Sequence, residues 1–500
     1  MADNNLSINT QYSQANSRIK PANSVFQQFM TSNIAENKTL SNLVTNYNTF
    51  VYPTVIKDPK QKEMYDKIKA FLSERGQKSL EAILRTGKLL ANGASDGSTT
   101  LENLYNIVSK PRTSGLKNTE ILEQTVITLA NPYIINQNFG KVPDFLLPSI
   151  INDEKRSSLS KGLGLNPAIA QQYTQAQVTG PIAAVTPEDI NFQVSGTCVA
   201  ASLEFNLAYE NPAEYARYAE GLTSPSMEVK TKIKLSNLAP NNLSAIELLN
   251  NFKTEYEMLN QEEAVVSLKP DKNAYVRAKI EEAYKLPNTR SMVDTLMQST
   301  FMQLGSANGY NTMNDKRTGN DIPDNKGLID EEKDFVESIV NNNVKKVDVP
   351  YQIVDEFTYL KGYNFDFETT KKHIMDSLDA GINVIAGITR TEDPYKRINS
   401  KIIGGHEITI TGYQYDKNNE LYFKYNDTDD DSTELVRIKA SKLIPDIHHA
   451  GIPLKFLNIP DEDPNYQILD MFQEIRNQHK AILTNAQNNY PTQNTVNRVA

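Results

Sequence analysis

The amino-acid sequence predicts an α+β fold, with a helical first part followed by a β-rich second part. In residues 41–135, apolar residues recur every three or four positions, which is the period of an amphipathic helix. After residue 345 the sequence changes to short runs of β-branched and aromatic residues, which are typical of strands. These runs follow a predicted helix at 369–378 and cover residues 383–388, 407–413, 420–425 and 434–438.

An N-terminal helical domain is predicted over residues 41–150. Thr99 and Glu102 have the spacing of a capping box, in which each side chain pairs with the backbone N–H of the other residue, so they mark a helix start. Pro111 ends that helix, and Asn131 with Pro132 ends the next one. The other predicted helices of this domain cover residues 60–73, 78–90 and 118–130.

A second domain is predicted over residues 175–460, with a mainly helical insertion at about 225–345. One of its helices has a clear start signal, because Asn211 can cap it and Pro212 suits its first position. The insertion is predicted to hold a strand at 229–235 and helices at 245–259 and 290–304. Residues 1–40 are expected to form a polar tail, and 461–500 a C-terminal helix followed by a second polar tail.

The overall composition limits the function classes. The formal net charge of −9 argues against nucleic acid as the main partner, because phosphate binding needs a basic surface. No run approaches the roughly 18 apolar residues that span a bilayer, and the N-terminus does not resemble a signal peptide. We therefore expect a cytoplasmic protein without a membrane partner, and leaderless export stays open. The oligomeric state is not predicted.

The single cysteine, Cys198, is a candidate nucleophile. A glycine-containing turn runs directly into an alanine-rich segment that begins at Cys198, which predicts that the thiol lies in the first turn of a helix. Free backbone N–H groups and the helix dipole favour a thiolate there, and the thiolate is the reactive form. A small residue packed at a helix start is the alternative interpretation.

His406 and Asn426 are candidates for the base and for the residue that orients it. His406 precedes a predicted strand, and a turn at 416–419 separates this strand from the next one. If the two strands pair as a hairpin, Asn426 lies opposite about Thr409, three residues from His406. A third group that holds the imidazole in one orientation is common to catalytic triads.

These motifs together resemble the papain-like cysteine peptidases. The resemblance comprises Gln193 with Gly196 and Cys198 at a helix start, then Gly405-His406 before a strand, then Asn426 on the next strand. It covers about residues 175–460 and implies a two-lobe fold, with a helical left lobe and a β-rich right lobe. It also implies that Gln193 and the backbone N–H of Cys198 hold the oxyanion.

The sequence departs from the family pattern at three points. Gln193 is one position closer to Cys198 than in papain, the chain has no tryptophan, and an acidic run replaces the Ser-Trp that usually follows the asparagine. Asp427 is therefore an alternative third member of the triad. No cofactor or metal is predicted: 324–329 fails as a calcium loop, the carboxylates at 429–431 are expected to be solvated, and adjacent histidines such as His448 and His449 are expected to point apart.

The predicted function is thiol-dependent hydrolysis of a peptide or amide bond in a peptide or protein substrate. Two alternatives remain at this stage: acyl transfer by the same triad, as in transglutaminase-like relatives, and an inactive papain-like binding or scaffold protein. A further hypothesis is that the N-terminal helical domain or the insertion acts as a lid or an inhibitory pro-region, so that truncation of residues 1–135 raises activity.

Overall fold

The computed structural model describes a mixed α+β chain with several sheets. It describes residues 42–45, 50–113, 116–140, 192–194, 196–238, 242–271, 273–275, 277–278, 290–312, 315–317, 327–328, 330–341, 344–354, 361–363, 365–391, 402–429 and 436–457. The predicted tails at 1–40 and 461–500 lie outside these residues. No helix within the described ranges is long and apolar enough to cross a membrane.

The N-terminal helices begin and end largely where the sequence predicts. Thr99 and Glu102 form the predicted capping box, and the helix after Lys117 ends before Asn131, as expected. The prediction for 78–90 is wrong at both ends, because the helix starts at the Ser73 cap and stops before Gly87, which adopts a positive φ of 79°. The helices are α1 Pro59–Phe71, α2 Glu74–Arg85, α3 Thr100–Ser109 and α4 Asn118–Ala130.

The described residues between 192 and 340 form mainly helices, as predicted. The helix at 290–304 is confirmed within two residues, but the helix at 245–259 is wrong in its second half, where the chain turns into a strand. Asn211 caps its helix by accepting a hydrogen bond from the Glu214 N–H at 3.2 Å. The helices are α5 Cys198–Glu210, α6 Pro212–Leu222, α7 Leu235–Leu238, α8 Asn242–Asn251, α9 Met292–Gly305 and α10 Asp330–Val340.

Short strands accompany these helices. A pair joins the two ends of the segment at 141–191, a three-stranded sheet follows α6, and three further two-stranded pairs are formed. The strand β10 belongs to the large sheet described next. The bounds of the other strands are β1 Asn42–Thr45, β2 Phe50–Pro53, β3 Asn138–Gly140, β4 Phe192–Val194, β5 Val229–Lys234, β6 Glu255–Met258, β7 Glu263–Leu268, β8 Tyr310–Asn311, β9 Lys316–Arg317, β11 Gln352–Val354 and β12 Lys361–Tyr363.

A six-stranded antiparallel sheet forms the C-terminal part. Its order is β10-β17-β13-β14-β15-β16, so the two outermost sequence segments, β10 and β17, lie side by side at one edge. The sequence patterns predict β13, β14, β15 and β16, but they do not predict β10 or β17. The elements are β10 Lys346–Pro350, α11 Phe367–Asp379, β13 Val384–Thr391, β14 Ile402–Tyr415, β15 Leu421–Asp427, β16 Val436–Lys439, α12 Ala440–Leu443 and β17 Ile447–Pro453.

Two hydrophobic clusters form the core of the described residues. The larger one joins α1–α4 with α5, α6, α9 and α10, so the N-terminal helices share one core with the helix that begins at Cys198. The smaller one lies between α11 and one face of the sheet and contains Ile374, Ile408 and Ile410. Ile385 of β13 belongs to the larger cluster, so the other face of the sheet packs against the helices. Burial of this apolar surface is the main contribution that holds the parts together.

Candidate active site

Cys198 is the first residue of α5, as the sequence predicts. The first intrahelical bond runs from the Ala201 N–H to the Thr197 carbonyl at 2.8 Å, so the thiol lies in the first turn. Cys198 is partly exposed, whereas its neighbours Val199 and Ala200 are buried against the larger cluster. The thiol therefore lies in the first turn, at the positive end of the helix dipole, on a residue that is not fully buried.

His406 lies in β14, and the hairpin register predicted for this strand is confirmed. Thr409 pairs with Asn426 across β14 and β15, and a bulge between Ile410 and Gly412 shifts the pairs nearer the turn by one. Successive side chains of a strand point to opposite faces. Asp427 pairs with Ile408, which is two residues from His406, so Asp427 shares a face with His406 and Asn426 points to the other face.

Asp427 is therefore the residue that the fold brings to the imidazole. His406 Nε2 lies 2.6 Å from Asp427 Oδ1 and 3.7 Å from Asp429 Oδ1. Asp429 is held in turn by Arg390, whose guanidinium donates to Asp429 Oδ2 at 2.7 Å. His406 is only 5% exposed, so these contacts act in a poorly solvated environment where charge–charge attraction is strong.

The charged forms of His406 and Asp427 stabilise each other. Burial by itself lowers the pKa of His406, but hydrogen bonds with Asp427 and Cys198 raise it to about 10. Burial raises the pKa of Asp427, but the hydrogen bond and charge of His406 outweigh this and lower it to about 2. Burial and the nearby charge of Asp427 raise the pKa of Asp429. At neutral pH the arrangement therefore favours an imidazolium paired with the Asp427 carboxylate.

Cys198 and His406 are close enough to act on each other. A side-chain hydrogen bond and the charge of Cys198 both raise the pKa of His406. His406 Nε2 is engaged by Asp427. The site thus holds a thiol, an imidazole and a carboxylate, which are the groups that activate a nucleophile in catalytic triads.

Strand alternation turns Asn426 away from His406, and the side chain of Gln193 lies outside the described part of the chain. Asn426 is 1% exposed, and its Nδ2 finds no hydrogen-bond partner among the described residues. Gln193 lies in β4, where it pairs with Phe139 of β3. That pairing places the Gln193 backbone next to the chain that follows the N-terminal helices.

Sequence patterns did not indicate the segment at 136–138, which borders the site. The Gln137 N–H donates to the Thr428 carbonyl at 2.8 Å, and the Thr428 hydroxyl donates to Gln137 Oε1 at 2.8 Å. Asn138 Nδ2 donates to the Asp429 carbonyl at 3.2 Å. These contacts fix the loop that carries the two carboxylates. The two residues of each contact lie nearly three hundred positions apart in the chain, so no local sequence pattern predicts these contacts.

The site also holds the groups of a candidate metal centre. One ligand atom each from His406, Asp427 and Asp429 lies within 4.8 Å of the others. In the structure His406 Nε2 is already bonded to Asp427, so a metal ion would have to replace that bond. Elsewhere, His448 Nδ1 and His449 Nδ1 are 2.9 Å apart, so the expectation that these side chains point apart is wrong.

Comparisons of the sequence with protein-family models and curated proteins, and of the structure with solved structures, find no match. The interpretation of the site therefore depends on its own geometry. A cavity of about 500 Å³ lies between α8, β7 and α9, and none of the residues at the thiol line it.

Proposed function

We propose that the protein is a thiol-dependent hydrolase of peptide or amide bonds, with Cys198, His406 and Asp427 as its catalytic residues. The observation that carries this proposal is the 2.6 Å bond between the His406 imidazole and the Asp427 carboxylate, together with the influence of the only cysteine, which raises the pKa of His406. We further propose a papain-like two-lobe arrangement. The division of the core into a helical cluster and a sheet cluster supports it.

The reaction would proceed in two stages. The Cys198 thiolate attacks the carbonyl carbon, and a C–S bond forms while the carbonyl oxygen gains the negative charge. The backbone N–H of Cys198 at the helix start, with Gln193 as the second donor, stabilises that oxyanion. The His406 imidazolium gives its proton to the leaving nitrogen, and the C–N bond breaks to release the amine.

Deacylation restores the enzyme. Neutral His406 takes a proton from water, and the resulting hydroxide attacks the thioester carbonyl. The C–S bond then breaks, which releases the carboxylic acid and regenerates the thiolate–imidazolium pair. Asp427 keeps the imidazole oriented and stabilises its positive charge throughout. An amine in place of water would give acyl transfer, and product analysis with an added amine separates the two reactions.

The test is labelling with an epoxide that traps activated thiols, read by intact mass. Because the chain has one cysteine, every label reports Cys198. We expect fast labelling of the native protein and slow labelling of His406→Ala. His373→Ala is the matched control, since His373 is also buried but bonds to Tyr351 in the cluster beside α11.

Two outcomes would contradict the proposal. Equally slow labelling with and without His406 indicates an inactive binding protein. Activity that chelation with EDTA abolishes, with little effect of thiol labelling, indicates instead a metal centre at His406, Asp427 and Asp429.

A further inference from the structure

Thr197 precedes Cys198 and occupies the N-cap position of α5, yet its hydroxyl does not cap the helix. Serine and threonine in this position normally accept a hydrogen bond from a backbone N–H of the first turn. Thr99 does so at the start of α3, with φ −90° and ψ 161°. Thr197 has nearly the same φ, −97°, but its ψ is 19°, so its backbone is rotated away from the capping conformation.

The Thr197 hydroxyl is engaged by a different helix. It donates to Gln298 Oε1 of α9 at 3.0 Å. Gln298 is completely buried, and its Nε2 donates to the Asn136 carbonyl and to Glu204 Oε2, both at 3.0 Å. The two donated bonds fix the orientation of the amide, so its oxygen must face Thr197.

The contact between Gln298 and the Thr197 hydroxyl is called the clamp, and the acid next to it, Glu204, is held in its uncharged form. Burial and the charge of Asp294 raise the pKa of Glu204 well above its usual value, which favours the uncharged acid. A neutral Glu204 adds no negative charge beneath the first half of α5, so the positive potential at the helix start is left for the thiolate. Through Asn136 the same amide reaches the segment that holds the loop of Asp427 and Asp429.

We propose that Gln298 is a positioning residue of the thiol site, which holds the Thr197 hydroxyl away from the N-terminus of α5. The backbone N–H groups of the first turn then remain available to the Cys198 thiolate and to the carbonyl oxygen of a substrate. This inference rests on the proposed function. Without Gln298, Thr197 can rotate to the conformation that Thr99 adopts and occupy one of those N–H groups.

The test is a double-mutant cycle read by the rate at which iodoacetamide alkylates Cys198 as a function of pH. In Gln298→Met, capping by Thr197 competes with the thiolate. A cap of ordinary strength raises the thiol pKa enough to slow alkylation below that pKa about threefold to tenfold. In a Thr197→Val background no hydroxyl can cap, so Gln298→Met has no further effect on the rate.

A purely structural role for Gln298 gives a different pattern. It lowers the melting temperature and slows alkylation equally in both backgrounds, and this result overturns the proposal. An unchanged rate in Gln298→Met overturns it as well. If Gln298→Met does not fold, Gln298→Asn provides the same comparison, since its amide is one methylene too short to hold Thr197.

Failure of the proposed function is recognised separately. The cycle is repeated in a His406→Ala background, where capping still changes the thiol pKa although the triad is absent. If His406→Ala labels as fast as the native protein, and the effect of Gln298→Met still depends on Thr197, the proposed triad is wrong and the role of Gln298 is supported. If His406→Ala labels slowly, and the effect of Gln298→Met does not depend on Thr197, the clamp is wrong and the triad stands.

Discussion

Replacing Asp427 by asparagine removes the carboxylate from the imidazole and keeps the shape of the side chain. The bond that changes, His406 Nε2 to Asp427 Oδ1, is 2.6 Å long, and the His406 and Asp427 side chains are 3% and 16% exposed. Because the carboxylate contributes to the raised pKa of His406, we expect that pKa to fall from about 10 in Asp427→Asn.

The size of the change follows from the strength of a charged hydrogen bond. Such a bond contributes about 1.5–3 kcal/mol, and one pKa unit corresponds to about 1.4 kcal/mol. The His406 pKa should therefore fall by roughly one to two units, and turnover should fall about tenfold to hundredfold. The stability that the raised pKa of His406 provides is full below the ordinary value of 6.5 and is lost as pH rises through about 10.

The lowered pKa of Asp427 acts at the acidic end. It provides stability above the ordinary value of 3.8, which is lost as pH falls through about 2. The pair therefore stabilises the fold most between about pH 4 and pH 6.5, and Asp427→Asn should remove this maximum from a plot of unfolding free energy against pH.

The assay is NMR titration of the imidazole signals, with His406 assigned by its loss in His406→Ala. Asn426→Ala is the matched control on the adjacent residue, because the Asn426 side chain points to the opposite face. We expect the His406 titration in Asn426→Ala to follow that of the native protein. If Asn426→Ala lowers the His406 pKa and Asp427→Asn does not, asparagine is the third triad member and the argument from strand alternation is refuted.

Three other predictions concern the thiol site, a buried lysine and the core that the N-terminal helices share with α5. Cys198→Ser should lower the His406 pKa, since the cysteine helps to raise it, and an unchanged NMR titration would contradict the contact. Lys88 is buried, and burial lowers its pKa to about 7. The stability contributed by its neutral form is therefore fully present above pH 10.5 and is lost as pH falls through about 7. Lys88→Met should remove this pH dependence from a plot of unfolding free energy against pH. Truncation of residues 1–135 should unfold the chain, as read by circular dichroism, because α1–α4 share a core with α5; a folded and more active product would instead support an inhibitory pro-region.

Local patterns were sufficient to predict much of the fold. The cap at Thr99, the start of α5 at Cys198 and the pairing of Thr409 with Asn426 all depend on residues close in sequence. The overrun at 245–259 has a local cause too, because the apolar spacing continues past residue 251, where tertiary pairing of β6 with β7 takes over.

The contacts within the candidate site could be predicted only in part from the sequence. The hairpin register already contained the information that Asp427, and not Asn426, shares a face with His406, since the answer follows from alternation along the strand. The contacts of Gln298 with Thr197 and Asn136 join segments that lie far apart in the chain. Such pairings depend on the tertiary packing of α9, which a single sequence does not specify.

The wide spacing of these segments along the chain has a consequence for synthesis. Cys198 is synthesised roughly ten to forty-five seconds before Asp427 at ordinary rates of elongation. During that interval the emerging chain has a thiol but neither the imidazole nor the carboxylate that would activate it. Under the proposed function, the chain therefore cannot act on itself or on neighbouring proteins until β14 and β15 have been made and have paired, so the topology delays the onset of the proposed activity.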